Sequence, residues 1–162
     1  MALRTIRTEG DEVLTKKCRM VTEMTPRLRE LVQDMLDTMY DASGVGLAAP
    51  QVGVLRRIVV IDVGDGPLVL VNPEIVEQSG EQTGEEGCLS VPGMSGVVTR
   101  PQHVKVRAQN EDMETVEYEG DDLLARAFCH ELDHLEGRMY TSLVEGELHE
   151  VTYSEEEDDA DE

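Results

Sequence analysis

Apolar residues recur at helical spacing twice in this chain, with alternating stretches between. Leu28, Leu31, Val32, Met35, Leu36 and Met39 predict an amphipathic helix running to about Asp41. Thr25-Pro26 opens it, with proline at the first helical position, where the missing N–H costs nothing. Its methionine-rich stripe reads as core filling rather than a ligand box. Arg57 to Val63 and Leu68 to Val71 read as strands joined by the Gly64-Asp65-Gly66-Pro67 turn. His103 to Gln109 alternates apolar and polar, and Thr115 to Glu119 is suited to pair with it as a hairpin, on which His103 reads as an exposed polar residue. A last helix is predicted between Asp121-Asp122, which offer N-caps and negative charge for the dipole, and Gly137 at C′. Leu123, Ala127, His130 and His134 share one of its faces, and Leu124, Phe128 and Leu135 line a neighbouring one, so it is expected to be buried on most sides. Strands in runs with helices elsewhere argue for an α+β fold, with antiparallel or mixed sheets around a central helix.

That helix carries the chemistry. Its segment His130-Glu131-Leu132-Asp133-His134 is an HExxH pattern, with two imidazoles at i and i+4. Such side chains lie roughly 5–6 Å apart at Cβ, close enough to grip one metal ion. Glu131 is turned about 100° from His130, so it flanks the metal face and reaches a water there without joining the ligands. Burying two imidazoles and a carboxylate side by side is costly unless a metal or partners satisfy them. The pattern is that of a hydrolase using a metal-activated water.

A catalytic centre of this kind takes three protein ligands and an open position. Downstream of His134 stand only His149 and acidic residues, so the third ligand is sought upstream, in Glu85-Glu86-Gly87-Cys88-Leu89-Ser90-Val91-Pro92-Gly93. Cys88 is bracketed there by glycines and a proline that let its backbone approach closely in a fixed bend. A thiolate beside a divalent cation is deprotonated outright and ligates strongly. Cys129 is turned one helical step off the histidine face and reads as a core thiol, and Cys18 has no ligand-like neighbours. Three cysteines with no framework spacing point to a reducing cytosol.

A third segment, Gly44-Val45-Gly46-Leu47-Ala48-Ala49-Pro50-Gln51, is punctuated by glycine and ends in a side-chain amide. It lacks the Lys-Ser/Thr and the G-x-G-x-x-G spacing of phosphate-cradling loops, which argues against nucleotide binding. Taken in order, the GxGxAAPQ loop, the EGCLS segment and the HExDH helix resemble the peptide deformylase family, from about Leu3 to Val144. The resemblance implies a cytoplasmic enzyme of protein biosynthesis that removes the formyl group from N-formyl-methionyl nascent peptides and releases formate. It implies Fe²⁺ on Cys88, His130 and His134, with Zn²⁺, Ni²⁺ or Co²⁺ as substitutes. Glu131 would be the general acid/base, and the Gln51 amide and the Leu89 backbone N–H would polarise the formyl oxygen. The methionine side chain is expected in a pocket bordered by Leu123 and Ala127, and the peptide backbone along Val45, Gly46 and Gly87.

Composition and charge refine this reading. A length of 162 residues suits one domain, and aromatics are scarce at 3%. No apolar run suits a membrane span and the N-terminus has no signal-peptide pattern. The balance of 14 Lys+Arg against 35 Asp+Glu, a net charge of −21, disfavours nucleic-acid binding. Ten carboxylates and no Lys or Arg follow Val144. The chain is therefore expected to divide into a catalytic domain, 1–144, and an acidic, mobile tail, 145–162, with His149 an ordinary exposed histidine. Any ribosome contact would not run through a basic tail. Two rival readings are a protease cleaving internal peptide bonds and a fold holding a structural or lost metal. The first wants a downstream ligand and the second a fourth ligand, and neither is evident.

Overall fold

The computed structural model describes residues 2–151. Helix α1, Pro26–Asp41, starts where Thr25 caps it, its hydroxyl accepting from the Leu28 N–H at 3.1 Å. Helix α2 spans Asp122–Leu135. Strands β1 (Gly46–Ala48), β2 (Ile58–Ile61), β3 (Leu68–Ser79), β6 (His103–Gln109) and β7 (Thr115–Asp121) form one sheet in the order β1-β2-β3-β6-β7. Strands β4 (Gln82–Cys88), β5 (Val91–Arg100) and β8 (Glu145–Glu150) form a second, in the order β4-β5-β8. Every ladder within the two sheets is antiparallel.

The two helices cover opposite faces of the larger sheet. Val59, Ile61 and Leu70 pack with Phe128, Ala125 and Leu135 of α2, while Ile58, Val60 and Val71 pack with Leu31, Val32, Met35 and Met39 of α1. Successive strand residues point to opposite faces, so a strand covered on both sides is apolar throughout, as Ile58-Val59-Val60-Ile61 is. The smaller sheet closes over α2 from the β4–β5 side, with Val91, Val98 and Tyr140 as a separate core.

Several expectations need correction. Asp121 occupies the N-cap of α2 but makes no capping bond, because its carboxylate is taken by His103 Nδ1 at 2.7 Å on the neighbouring strand. The glycine-punctuated loop is partly ordered as β1 and a 3-10 turn, Ala49–Val52. The expected boundary at Val144 also falls short. Glu145–Glu150 pairs with β5, Ser95 opposite His149, and Leu148 packs into the third core. Pairing there uses backbone bonds, which a run of charged side chains does not prevent when they face outward. Residues 152–162, the rest of the expected tail, lie outside the described residues.

Candidate metal centre and substrate cavity

One cavity of about 520 Å³ is walled by the loop before β1, the 3-10 turn after it, the β4–β5 turn, the N-terminal two-thirds of α2, and Val151 beyond β8. Val45, Gly46, Gln51, Gly87, Cys88, Leu89, Leu123, Ala127, His130 and Glu131 all line it. His134 lies one helical turn deeper and is 1% exposed. Leu123 stands at the open end, half exposed, whereas Ala127 is buried.

The donor atoms of Cys88, His130 and His134 lie within 4.8 Å of one another. Cys88 Sγ is 3.4 Å from His134 Nε2, and the two imidazole rings are 5.0 Å apart at 71°. Cys88 reaches this point because the β4–β5 register shifts between Gly87 and Cys88, so Cys88 pairs with Val91 across a tight turn. Gly137, at φ 78 beyond the C-terminus of α2, lies so close to the Thr15 carbonyl that no Cβ would fit, which fixes the end of the helix behind the histidines.

The set fits a divalent cation on its own chemistry. Burial would pull His130 down, but Cys88 and Glu86 beside it push it well above its ordinary value. The same acceptors that would hold a proton there suit a cation. Burial holds His134 neutral, down to about 3, and the neutral form is the one that ligates. His134 Nδ1 is buried without a hydrogen-bond partner among the described residues. Within the described residues no other group of His, Cys, Asp and Glu converges in this way.

Glu131 is buried beside the cavity, and its Oε1 has no hydrogen-bond partner among the described residues. Burial pushes its carboxyl up to about 7. Gly46 is required opposite it, because a Cβ there would collide with the Glu131 carboxylate. Gln51 is fixed at both ends of its amide: Oε1 accepts from Ala48 N–H at 2.9 Å, and Nε2 donates to Ser90 Oγ at 3.0 Å and lies 3.7 Å from Cys88 Sγ. Ser90 is thereby engaged and has no histidine beside it. Cys129 faces the core, and burial pushes its thiol up to about 11, as it does that of Cys18. His149 is exposed on β8, with Nε2 3.1 Å from both Ser95 Oγ and Glu85 Oε1.

The structure adds a residue that sequence reasoning passed over. Glu86 is 6% exposed, and its Oε2 accepts from His130 Nδ1 at 2.5 Å. Arg100 grips the same carboxylate with two bonds, Nε to Oε1 at 3.0 Å and Nη2 to Oε2 at 2.6 Å, and Arg126 Nη1 adds a third at 2.8 Å. Burial alone would raise its pKa, but His130 and Arg100 hold it down at about 2. His130 is thus left with Nε2 for a metal. No local spacing announces it, because its partners Arg100, Arg126 and His130 come from β5 and α2, and the register shift between Gly87 and Cys88 breaks the strand alternation.

A thiol and two imidazoles beside a buried carboxyl, on an antiparallel α+β frame, define a metal-dependent hydrolase of the HExxH type. The family described as Polypeptide deformylase matches residues 3–148. The peptide deformylase of Agathobacter rectalis is 66% identical over 155 residues, 96% of this chain and 98% of that protein. That of Lachnoclostridium phytofermentans is 60% identical over 163 residues, covering 98% of this chain and 100% of the relative. Among solved structures, the Legionella pneumophila peptide deformylase superposes with a TM-score of 0.86 at 44% identity, over 89% of this chain and 87% of that one. The Thermotoga maritima enzyme does so at 0.86 and 42%, over 88% and 98%. The chain belongs to the peptide deformylase family. It is a metal-dependent hydrolase that removes the N-formyl group from the N-terminal formyl-methionine of nascent polypeptides.

Proposed function

We propose that Cys88, His130 and His134 hold the metal, that Glu131 carries the proton, and that Gln51 Nε2 and the Leu89 N–H stabilise the developing oxyanion. The observation that carries this reading is the convergence of three donor atoms within 4.8 Å beside a buried carboxyl with an unpartnered oxygen. A bound divalent metal supplies nucleophilic hydroxide at neutral pH by lowering the pKa of water. Glu131 takes the proton released as the nucleophile forms and passes it to the departing amine, so the peptide leaves as a neutral amine and formate as the acid product. A carboxyl already pushed up to about 7 by burial is matched to both halves of that task near neutral pH. The Gln51 amide is held by Ala48 and Ser90, so it need not reorganise as charge builds on the formyl oxygen. Val45, Gly46 and Gly87 flank the cavity where an extended peptide backbone would run, and Leu123 and Ala127 border the space for the methionine side chain.

The metal is proposed to be Fe²⁺. A thiolate with two imidazoles also accepts Zn²⁺, Ni²⁺ or Co²⁺. Three unpaired thiols and a ribosome-derived substrate support a cytoplasmic setting. No helix among the described residues is long and apolar enough to cross a membrane. Residues 145–162 hold no Lys or Arg, so any contact with the ribosome would not run through a basic surface on them.

Anaerobically purified protein should release formate from formyl-Met-Ala and leave unformylated peptides intact. Cys88→Ala should lose metal and activity together; metal retained at the parent stoichiometry and affinity would remove Cys88 from the ligand set. Glu131→Ala should keep metal but lose roughly 10²–10⁴ in kcat, the usual cost of removing an acid/base group. Gln51→Leu should lose roughly 10²–10³ in kcat with a smaller change in KM. An effect on KM alone would reduce Gln51 to ground-state binding.

A further inference from the structure

Arg126 is a buried cation on the wall of a cavity expected to take an apolar side chain. It stands one turn before His130 on α2 and lines the cavity beside Ala127. Its Nη1 is committed, donating to Glu86 Oε1 at 2.8 Å and to the Val98 carbonyl at 3.1 Å. A guanidinium has five N–H donors, and Nη1 carries only two of them. Nε and Nη2 make no hydrogen bond among the described residues, and neither is sealed away from open space. Neutralising Glu86 does not require this residue, since Arg100 already holds the carboxylate through two bonds. Room for the guanidinium comes from β4. A Cβ on Gly84 would touch Arg126 Nη2 at 3.6 Å, so a longer side chain there would take its place.

We propose that Arg126 sets the side-chain preference of the cavity, offering its uncommitted N–H groups to the sulfur of the substrate's first residue. This rests on the reading that the space bordered by Leu123 and Ala127 receives that side chain. The thioether sulfur is a weak acceptor, and norleucine, its all-carbon isostere, has none. The enzyme therefore prefers methionine to norleucine. Methionine sulfoxide offers a far stronger acceptor of similar shape. An all-apolar pocket would exclude it, because a buried sulfinyl oxygen without a donor is costly. With Arg126 present, formyl-methionine sulfoxide at a peptide N-terminus becomes a substrate.

The test is kcat/KM on formyl-Met-Ala, formyl-norleucyl-Ala and formyl-methionine-sulfoxide-Ala, using metal-loaded enzyme and its Arg126→Met and Arg126→Lys variants. The enzyme is expected to favour Met over norleucine by about threefold or more, the scale of one modest hydrogen bond. Arg126→Met, similar in length but without N–H groups, should bring that ratio close to one and reduce sulfoxide turnover at least about tenfold relative to Met. Arg126→Lys, which restores a donor, should recover part of the sulfoxide activity. Metal content should be unchanged in both, since Glu86 keeps Arg100 and His130. Ratios identical in the enzyme and in Arg126→Met overturn the proposal. So does a parallel fall of all three activities with metal content, which would make Arg126 a support for the centre alone. Ala127→Phe separates the two layers of the argument. If it shifts preference toward small first residues while the ratios ignore Arg126, the pocket stands and the arginine's role falls. If it leaves preference unchanged, both fall.

Discussion

Glu131 is a carboxyl that burial pushes up to about 7 from an ordinary 4.5. Below the lower value both folded and unfolded chains hold the proton, and the group has no effect on stability. As pH rises from 4.5 to about 7 the unfolded chain releases its proton while the metal-free fold keeps it, so stability falls. Above that range the loss is constant, on the order of 3 kcal/mol. Metal-free Glu131→Gln should therefore melt above the metal-free parent near pH ~8, and the gap should close near pH ~4. A gap independent of pH would show that Glu131 does not titrate there. Glu86 makes the opposite contribution, since its charge is wanted. Glu86→Gln weakens the pull on His130 Nδ1–H and should cost roughly 10–100-fold in metal affinity, read by competition with a chelator. Unchanged affinity would leave Glu86 as a partner for Arg100 and Arg126 only. That Cys88, His130, Glu131 and His134 come together was legible in the sequence, because fixed spacing on a helix or in a glycine-flanked turn announces them. Glu86 was not, because the partners that hold it, His130, Arg100 and Arg126, approach from α2 and β5 and have no local relation to it.

Elements with a strong apolar period were legible, and those held by backbone pairing were not. Helix α1 and the β6–β7 hairpin could be read because their buried faces repeat at 3.6 or 2 residues, and the β2–β3 pair because its short apolar runs flank a glycine-rich turn. Strand β4 holds Gly84 and Gly87 and three acids or amides before Cys88, and β8 has Leu148 as its one large apolar residue. Neither shows a period, yet both pair with β5. The consequence for β8 is functional. The Val151 N–H donates to the Gly93 carbonyl at 2.8 Å, and Val151 lines the cavity. A chain ending after Val151 should keep kcat/KM on formyl-Met peptides within a few-fold. A chain ending after Val144 loses β8 and the Leu148 packing, and should show a higher KM and a lower melting temperature with metal still bound. Equal KM for the two truncations would make β8 a spectator of the cavity.

At the scale of the whole molecule, charge is the property that the fold leaves uncompensated. With 35 acidic and 14 basic side chains, pairing every Lys and Arg would still leave 21 carboxylates without a partner. Several of the cations are committed to buried or half-buried pairs: Arg100 and Arg126 with Glu86, Arg57 with Glu136, and Arg4 with Asp34. Those pairs take up carboxylates along with the cations, so the remaining surface stays strongly acidic, and self-repulsion opposes the compact state. Salt shortens the reach of that repulsion to about 8–10 Å at 0.10–0.15 M while leaving buried pairs nearly untouched. Melting temperature should accordingly rise with added NaCl at neutral pH. The seven carboxylates between residues 152 and 162 supply a control, since removing them takes the formal charge from −21 to −14. If long-range repulsion is the cause, the chain ending after Val151 should melt higher at low salt and gain less from added NaCl. A melting temperature that falls with moderate salt would mean that surface ion pairs outweigh the repulsion. An equal gain in both chains would place the effect on residues 1–151 rather than on residues 152–162.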